Sequence, residues 1–150
     1  MIRLAILSDT HGLLRQEVKA ELAAADCALH AGDVDTPALL QDLRSYGETY
    51  VVRGNNDRAW AASLPQTLTV ELEGVRFFLV HNRRDVPRDL TGVDVVVYGH
   101  SHKFTAEEIG GTLWLNPGSC GPRRFRQELT LCRMEIDQGG YRWEKRDLPL

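Results

Sequence analysis

The sequence predicts an α/β protein built as a four-layer α/β/β/α sandwich, in which two mixed β-sheets are flanked by helices. Two observations lead to this prediction. The first half of the chain alternates short apolar strands with helix-forming segments, and the second half is a run of strands separated by turn residues. The 150 residues show no internal repeat and no long Pro/Gly linker, so one domain over 1–150 is expected.

The first half reads as strand, helix, strand, helix, strand. Its opening run IRLAIL is a short apolar segment, typical of a buried strand. In the segment after it, Leu14, Val18 and Leu22 are spaced by four on one helical face, and Pro37 suits the first turn of a second helix. The predicted elements are strands at 2–7, 27–30 and 49–52 and helices at 14–25 and 37–46.

The second half consists mainly of strands. Leu68, Val70 and Leu72 alternate with polar residues up to Gly74, which predicts a β-hairpin. Gly-Gly, Asn-Pro-Gly and Gln-Gly-Gly then separate further strands. The predicted strands are the hairpin at 67–74 and 75–81, followed by 93–99, 105–109, 112–116, 129–136 and 141–148.

The composition argues against several classes of function. A net charge of −3 without a basic block gives no signal for nucleic acid or for an anionic membrane as a partner. The apolar opening is too short for a signal peptide or a membrane span. Cys27, Cys120 and Cys132 form no CxxC pair, which is typical of a reducing compartment. A cytoplasmic protein is therefore expected.

Metal-capable side chains follow five of the predicted strands, each within a few residues of the last apolar position. They are Asp9 and His11, Asp33, the Asn55, Asn56 and Asp57 group, His81, and the His100 and His102 pair. Singly they have ordinary explanations, such as helix capping by residues 8–10 or a turn at residues 54–57. Because ligands gather at the carboxyl ends of strands in α/β sheets, the five together predict a metal centre.

The donor types indicate which chemistry this centre supports. Imidazole, carboxylate and amide oxygens without thiolate suit Mn, Fe, Zn, Ni or Co. The seven candidate ligands are too many for one ion: Asp9, His11, Asp33, Asn55, His81, His100 and His102. Two ions ~3.5–4 Å apart that share a carboxylate form the usual clamp for in-line displacement at phosphorus. Two-metal phosphoryl chemistry is therefore predicted.

Five motifs, in this order, resemble the calcineurin-like metallophosphoesterase superfamily. They are D-x-H (Asp9, His11), G-D (Gly32, Asp33), G-N-x-D (Gly54 to Asp57), the strand-end His81 and G-H-x-H (Gly99 to His102). The segments VRGNND and NPGS are similar to those of small bacterial and archaeal phosphodiesterases of the YfcE type. The resemblance covers the whole chain and implies the metallophosphoesterase form of the sandwich.

The resemblance also implies a ligand assignment. One metal is assigned to Asp9, His11, Asp33 and His102, and the other to Asp33, Asn55, His81 and His100, with Asp33 bridging. Asp33, Asn55 and His81 are the expected catalytic residues, acting through a metal-bridging hydroxide that attacks phosphorus in line. Gly99 is expected to permit the turn that delivers the last two histidines.

The implied activity is that of a two-metal phosphodiesterase on a small phosphoester. Manganese is the preferred ion, with nickel, iron, zinc and cobalt as alternatives. A phosphomonoesterase or nucleotide pyrophosphatase on the same site stays open, as does a scaffold similar to a eukaryotic trafficking-coat subunit. The sequence leaves a homo-oligomer open and predicts no membrane partner.

Two positions depart from the family pattern. Asn56 stands where larger relatives have a histidine that protonates the leaving group, and Arg83 replaces the second histidine of a His-Gly-His motif. Arg83 and Arg123 are candidate substrate contacts, and solvated surface arginines are the alternative. His30 and Asp57 are expected to support the ligands from behind. Substrate preference is expected to depend on residues 82–88 and 120–125.

Overall fold

The structure, a computed structural model, describes residues 1–124 and 127–149, so Phe125 of the predicted substrate loop lies outside the described residues. Its α-helices are α1 (Gln16–Ala24) and α2 (Pro37–Ser45). Its strands are β1 (Ile2–Leu7), β2 (Cys27–His30), β3 (Glu48–Val51), β4 (Thr67–Leu72), β5 (Val75–Val80), β6 (Val95–Val97), β7 (Thr105–Ile109), β8 (Thr112–Asn116), β9 (Thr130–Asp137) and β10 (Gly140–Asp147). No helix in this part of the chain is long and apolar enough to cross a membrane.

The strands form two mixed five-stranded sheets. The first has the order β10-β9-β1-β2-β3, in which β1, β2 and β3 are parallel. The second has the order β4-β5-β6-β8-β7, in which β5, β6 and β8 are parallel. The register pairs Leu7 with His30 and His30 with Val51, so the three parallel strands of the first sheet end level with one another.

The main core lies between the sheets, and a second core lies under the helices. Within β1, Leu4 and Ile6 face the second sheet, whereas Ala5 and Leu7 face α1 and α2. This follows from the two-residue period of a strand, and it explains why a strand buried on both faces is apolar throughout. Each fully buried aliphatic or phenyl side chain contributes about 1.5–3 kcal/mol.

The outer face of the second sheet carries a thinner layer. Among the described residues, a loop with a 3₁₀ turn at Arg83–Asp85 packs there instead of an α-helix. Val86, Leu90 and Val93 of this loop contact the apolar face of the sheet. Pro87 stands inside the segment and disfavours a longer helix. The predicted fold class is confirmed, with a loop as its fourth layer.

Candidate metal centre

Strained backbone is concentrated where β1, β2 and β6 end. Among the described residues, six of the eight non-glycine residues with positive φ lie in the loops that follow these strands: Asp9, His11, Asp33, Asp35, His100 and His102. A left-handed conformation costs such residues roughly 1–2 kcal/mol each. Strain of this kind persists where the surrounding structure enforces it, and it is typical of functional sites.

Asp9, His11 and His102 form the first cluster of potential ligands. Nε2 of His102 lies 3.3 Å from Oδ1 of Asp9 and 3.2 Å from Nε2 of His11. Nε2 of His11 lies 3.8 Å from Oδ1 of Asp9. The three ligand atoms are all within 4.8 Å of one another, which is close enough to hold one ion.

Asp9, Asp33 and His81 form a second, fully buried cluster. Nε2 of His81 lies 3.2 Å from Oδ2 of Asp33 and 3.9 Å from Oδ1 of Asp9. The same Asp33 oxygen lies 3.8 Å from Nε2 of His11, in the first cluster. Both carboxylates therefore face both clusters, and either is placed to bridge two ions.

The hydrogen bonds of two imidazoles determine which ring nitrogens are free. Nδ1 of His81 lies 2.8 Å from the carbonyl oxygen of Ala31, and Nδ1 of His11 lies 3.0 Å from Oδ2 of Asp35. Carbonyl and carboxylate oxygens only accept hydrogen bonds, so Nδ1 carries the proton in both rings. In the neutral rings, the Nε2 lone pair of His81 therefore faces Oδ2 of Asp33 at 3.2 Å. That of His11 faces Nε2 of His102 at 3.2 Å and carboxylate oxygens of Asp9 and Asp33 at 3.8 Å, and a cation would stabilise such a group of donor atoms.

Two of the converging atoms are buried without a hydrogen-bond partner among the described residues. They are Oδ1 of Asp9, whose side chain is 0 % exposed, and Nε2 of His81. An unpartnered buried polar atom is costly, and such atoms are rare in native structures. The residues present thus fit a divalent metal ion.

The charges of the site favour a cation as well. Burial opposes ionisation of Asp33, but the His81 ring and the backbone N–H of Asn56 outweigh burial and lower the pKa of Asp33 to about 2. Burial likewise disfavours charge on His81, yet the adjacent Asp33 and Asp9 carboxylates raise its pKa. A site that draws protons onto its imidazoles attracts divalent cations for the same reason.

Two glycines allow the loops to approach one another. A Cβ on Gly99 would lie 2.1 Å from Oγ of Ser8 and 2.6 Å from Oδ2 of Asp9. A Cβ on Gly54 would lie 2.2 Å from Oδ1 of Asp33. The turn that Gly99 was expected to permit is present, and it forms without a positive φ at Gly99. The left-handed residues are His100 and His102 themselves, and Gly99 is needed for close approach.

Asp57 fastens the loops after β2 and β3 to each other. Its carboxylate accepts hydrogen bonds from the backbone N–H groups of Asp33 at 3.0 Å, Asp35 at 2.8 Å and Gly54 at 2.9 Å. Asp57 is buried, and these three donors satisfy its charge. It holds the loops that carry Asp33 and Gly54 together, and its support of a metal ligand stays a prediction.

His30 joins the loops after β1 and β2 from a fully buried position. Its Nδ1 accepts from the backbone N–H of Gly32 at 3.0 Å, so Nε2 carries the proton and donates to Oγ1 of Thr10 at 3.0 Å. Burial lowers the pKa of His30 to about 4, so the ring is neutral at physiological pH.

Asn55 and His100 lie at the rim of the second cluster, and both are exposed. The His100 ring is 5.3 Å from that of His81 between centroids, and its backbone N–H donates to Oδ2 of Asp9 at 3.1 Å. Asn55 lines a cleft of about 300 Å³ together with His81. His100 belongs to neither cluster, so its role as a ligand and that of Asn55 stay predictions.

The two candidate arginines are engaged elsewhere. The Arg83 guanidinium donates to Oη of Tyr98 at 3.0 Å and to Glu107 at 3.1 Å, and it lies 4.8 Å from the ring centroid of Trp114. Arg123 is exposed, and its Nε donates to the carbonyl oxygen of Gln127 at 3.3 Å. A substrate contact by Arg83 or Arg123 stays a prediction.

Sequence reasoning missed two residues that touch the ligands. Ser8 donates its hydroxyl to Oδ2 of Asp9 at 2.7 Å, and Asp35 contacts His11. A second carboxylate two residues after Asp33 was the available signal for Asp35. Asn116 shapes the Asn-Pro-Gly turn by accepting the Gly118 N–H at 2.9 Å, and it also donates to the carbonyl oxygen of Gly99 at 3.2 Å.

Sequence comparisons identify the family. Residues 2–139 match the model described as the calcineurin-like phosphoesterase superfamily domain. The chain is 32% identical over 154 residues to a probable metallophosphoesterase of Mycoplasma pneumoniae, covering 93% of this chain and 92% of that protein. It is 26% identical to a phosphodiesterase of Methanocaldococcus jannaschii, covering 79% and 84% of the two chains.

Solved structures agree with the predicted fold. YfcE, a phosphoesterase from E. coli, superposes with a TM-score of 0.73 at 27% identity, covering 89% of this chain and 88% of that chain. Vps29 of Chaetomium thermophilum gives a TM-score of 0.78 at 19% identity over 99% and 97% of the chains, a likeness that shows the fold alone. Together with the family match, the YfcE likeness confirms the resemblance drawn from the motifs.

Proposed function

The chain belongs to the calcineurin-like phosphoesterase superfamily, and we propose that it is a two-metal phosphodiesterase acting on small phosphoesters. The observation that carries this proposal is the pair of clusters sharing Asp9, in which the Nε2 atoms of His11, His81 and His102 converge with carboxylate oxygens of Asp9 and Asp33. This donor set suits two divalent cations, and manganese is the proposed ion.

Two divalent ions in these clusters would supply a nucleophilic water at neutral pH and neutralise the phosphoryl oxygens. The chain's own contribution is to hold the carboxylates rigidly. Oδ1 of Asp33 accepts from the Asn56 N–H at 2.9 Å, and Oδ2 of Asp9 accepts from Ser8 and from the His100 N–H. Each carboxylate thereby keeps one oxygen directed at the clusters, and little reorganisation is needed during reaction.

We assign the substrate to the cleft of about 300 Å³ that opens beside Asn55 and His81. Arg53 and Arg84 line this cleft together with Asp57 and Asp85, and the Arg84 guanidinium offers hydrogen-bond donors to a phosphoester anion. Asn56 offers no acidic proton at the position where larger relatives carry histidine. This supports leaving groups that need little protonation, and the relative named a phosphodiesterase supports a diester.

The test is metal removal followed by assay of two chromogenic esters. Protein stripped with chelator should hydrolyse neither bis-p-nitrophenyl phosphate nor p-nitrophenyl phosphate, and Mn²⁺ should restore turnover, faster for the diester. Turnover that survives complete metal removal would overturn the proposal. Faster cleavage of the monoester would indicate a phosphomonoesterase, and inactivity of the metal-loaded protein on both would favour a scaffold.

A further inference from the structure

Asp35 lies beside the first cluster without belonging to it. Its Oδ2 is 3.0 Å from Nδ1 of His11, the ring nitrogen that does not face the cluster. We propose that Asp35 is a positioning residue that fixes the tautomer and orientation of His11 and thereby sets the affinity of the metal held by Asp9, His11 and His102. This inference rests on the proposed metal-dependent function.

The backbone holds Asp35 in place for this contact. Its φ is 78°, a left-handed conformation that Asp and Asn adopt more readily than most other non-glycine residues. Its N–H donates to Oδ1 of Asp57 at 2.8 Å, while Oδ2 of Asp57 accepts from the N–H of Asp33 at 3.0 Å. One buried carboxylate thus aligns the ligand Asp33 and the residue that orients His11.

The environment of Asp35 strengthens the interaction with His11. The Asp35 side chain is 29 % exposed, while that of His11 is 6 % exposed, so the pair is largely removed from water. Oδ1 of Asp35 is buried and has no hydrogen-bond partner among residues 1–124 and 127–149. A carboxylate that accepts from the non-ligating nitrogen also makes the ligating nitrogen more basic.

The two central imidazoles differ in how they are held. His81 is fixed by the backbone carbonyl of Ala31, which no substitution removes, whereas His11 is fixed by the side chain of Asp35. Loss of that side chain frees the His11 ring to rotate and to place its proton on Nε2. Loss of such an orienting partner weakens metal binding by about 10- to 100-fold. The His81 cluster has its own anchor, so its affinity should not change.

The experiment is a titration of metal-stripped protein with Mn²⁺, followed by the electron paramagnetic resonance of the free ion. Wild type should bind two equivalents. Asp35→Ala should weaken one binding step about 10- to 100-fold and leave the other unchanged. Asp35→Asn tolerates the left-handed backbone and keeps an acceptor oxygen, so it should weaken the same step by less. Asp26→Ala is the matched control, because one carboxylate oxygen of Asp26 likewise accepts a hydrogen bond, from the Arg3 N–H, but Asp26 lies before β2, at its other end.

A second measurement distinguishes a change at the His11 ring from a general loss of protein stability. In zinc-loaded protein labelled with ¹⁵N-histidine, His11 should show a protonated Nδ1, and this signal should be lost in Asp35→Ala. Thermal unfolding of the metal-free variants gives the stability change. An unchanged pair of binding steps in Asp35→Ala and Asp35→Asn, or equal weakening of both steps, would overturn this inference alone. Failure of wild type to bind Mn²⁺ would overturn the proposed function together with it.

Discussion

The two sheets bring different chemistry to the same edge of the molecule. Loops of the first sheet supply the carboxylates, and Asp33 and Asp57 engage backbone N–H groups of neighbouring loops. Loops of the second sheet supply three of the four imidazoles: His81, His100 and His102. The sheets meet where His81 donates to the Ala31 carbonyl and where the His100 N–H donates to Asp9.

This difference indicates that the first-sheet loops mainly hold the site together, whereas the exposed second-sheet histidine His100 mainly contributes to metal binding. The first-sheet network is buried and hydrogen-bonded within the protein itself, so its members contribute to folding as well as to the site. The His100 ring is exposed, and its only aromatic neighbour among the described residues is His81. Substitution of the buried first-sheet carboxylates Asp33 and Asp57 should therefore change stability or abolish activity, whereas substitution of the exposed His100 should change metal affinity alone.

The largest effect is expected from Asp33→Ala, which removes the first-sheet carboxylate that faces both His11 and His81. If Asp33 bridges two ions as proposed, its loss removes several kcal/mol of charge stabilisation, and diester turnover should fall at least about 100-fold. Steady-state kinetics at saturating Mn²⁺ measures it, with Asp26→Ala as an exposed control. Full activity of Asp33→Ala would exclude a two-metal mechanism at this edge.

The second prediction concerns His30 and the pH dependence of stability. The pKa of His30 falls from 6.5 to about 4 on burial. Between these values the unfolded chain binds a proton that the folded protein does not, so the free energy of unfolding decreases as pH falls. The difference between the two pKa values corresponds to a decrease of about 3 kcal/mol in the free energy of unfolding. Urea unfolding of metal-free protein at several pH values measures it.

His30→Asn is the matched variant, because it removes the titrating ring and keeps an acceptor for the Gly32 N–H. The difference in unfolding free energy between wild type and this variant should shrink as pH drops from about 6.5 to about 4. A constant difference over that range would show that His30 protonates in the folded protein as readily as in the unfolded chain, contrary to its burial.

On the second sheet, His100→Ala should change metal affinity without changing stability. The exposed His100 and Asn55 side chains must become ordered to reach an ion, at a cost of about 0.5–1.5 kcal/mol each. The second metal should therefore bind about tenfold more weakly than the first, and His100→Ala should weaken only that step. Mn²⁺ titration measures both steps. A melting temperature lowered by several degrees would contradict the division between the sheets.

Much of the fold could be predicted because strands buried on both faces are continuously apolar. The strands at 2–7 and 27–30 are confirmed with the same bounds. The first helix was predicted at 14–25 but spans Gln16–Ala24, because the backbone of Arg15 is extended; Leu14 packs against the core from the preceding loop. The order of the motifs also predicted that the ligand loops meet, since parallel strands end at a shared edge.

Other features depend on contacts between residues far apart in sequence. Asp35 contacts His11 across 24 positions, and no periodicity signals that pairing. The outer layer over the second sheet was predicted as helical, yet a loop suffices because Val86, Leu90 and Val93 reach the sheet without one. The orientation of the Arg83 side chain could not be predicted either. It depends on contacts with Tyr98, Glu107 and Trp114, which come from three separate segments.

The smallest expected effect distinguishes two adjacent arginines of the second sheet. Arg84 lines the cleft beside His81 and Asn55, whereas the Arg83 guanidinium is occupied by Tyr98 and Glu107 on the outer face. Arg84→Ala should raise KM for the diester about threefold with kcat nearly unchanged, because an exposed cation adds little to binding. Arg83→Ala should leave both constants unchanged. The opposite pattern would mean that Arg83 leaves Tyr98 when substrate binds, and that the second sheet reaches the phosphoester through the residue that replaces the family histidine.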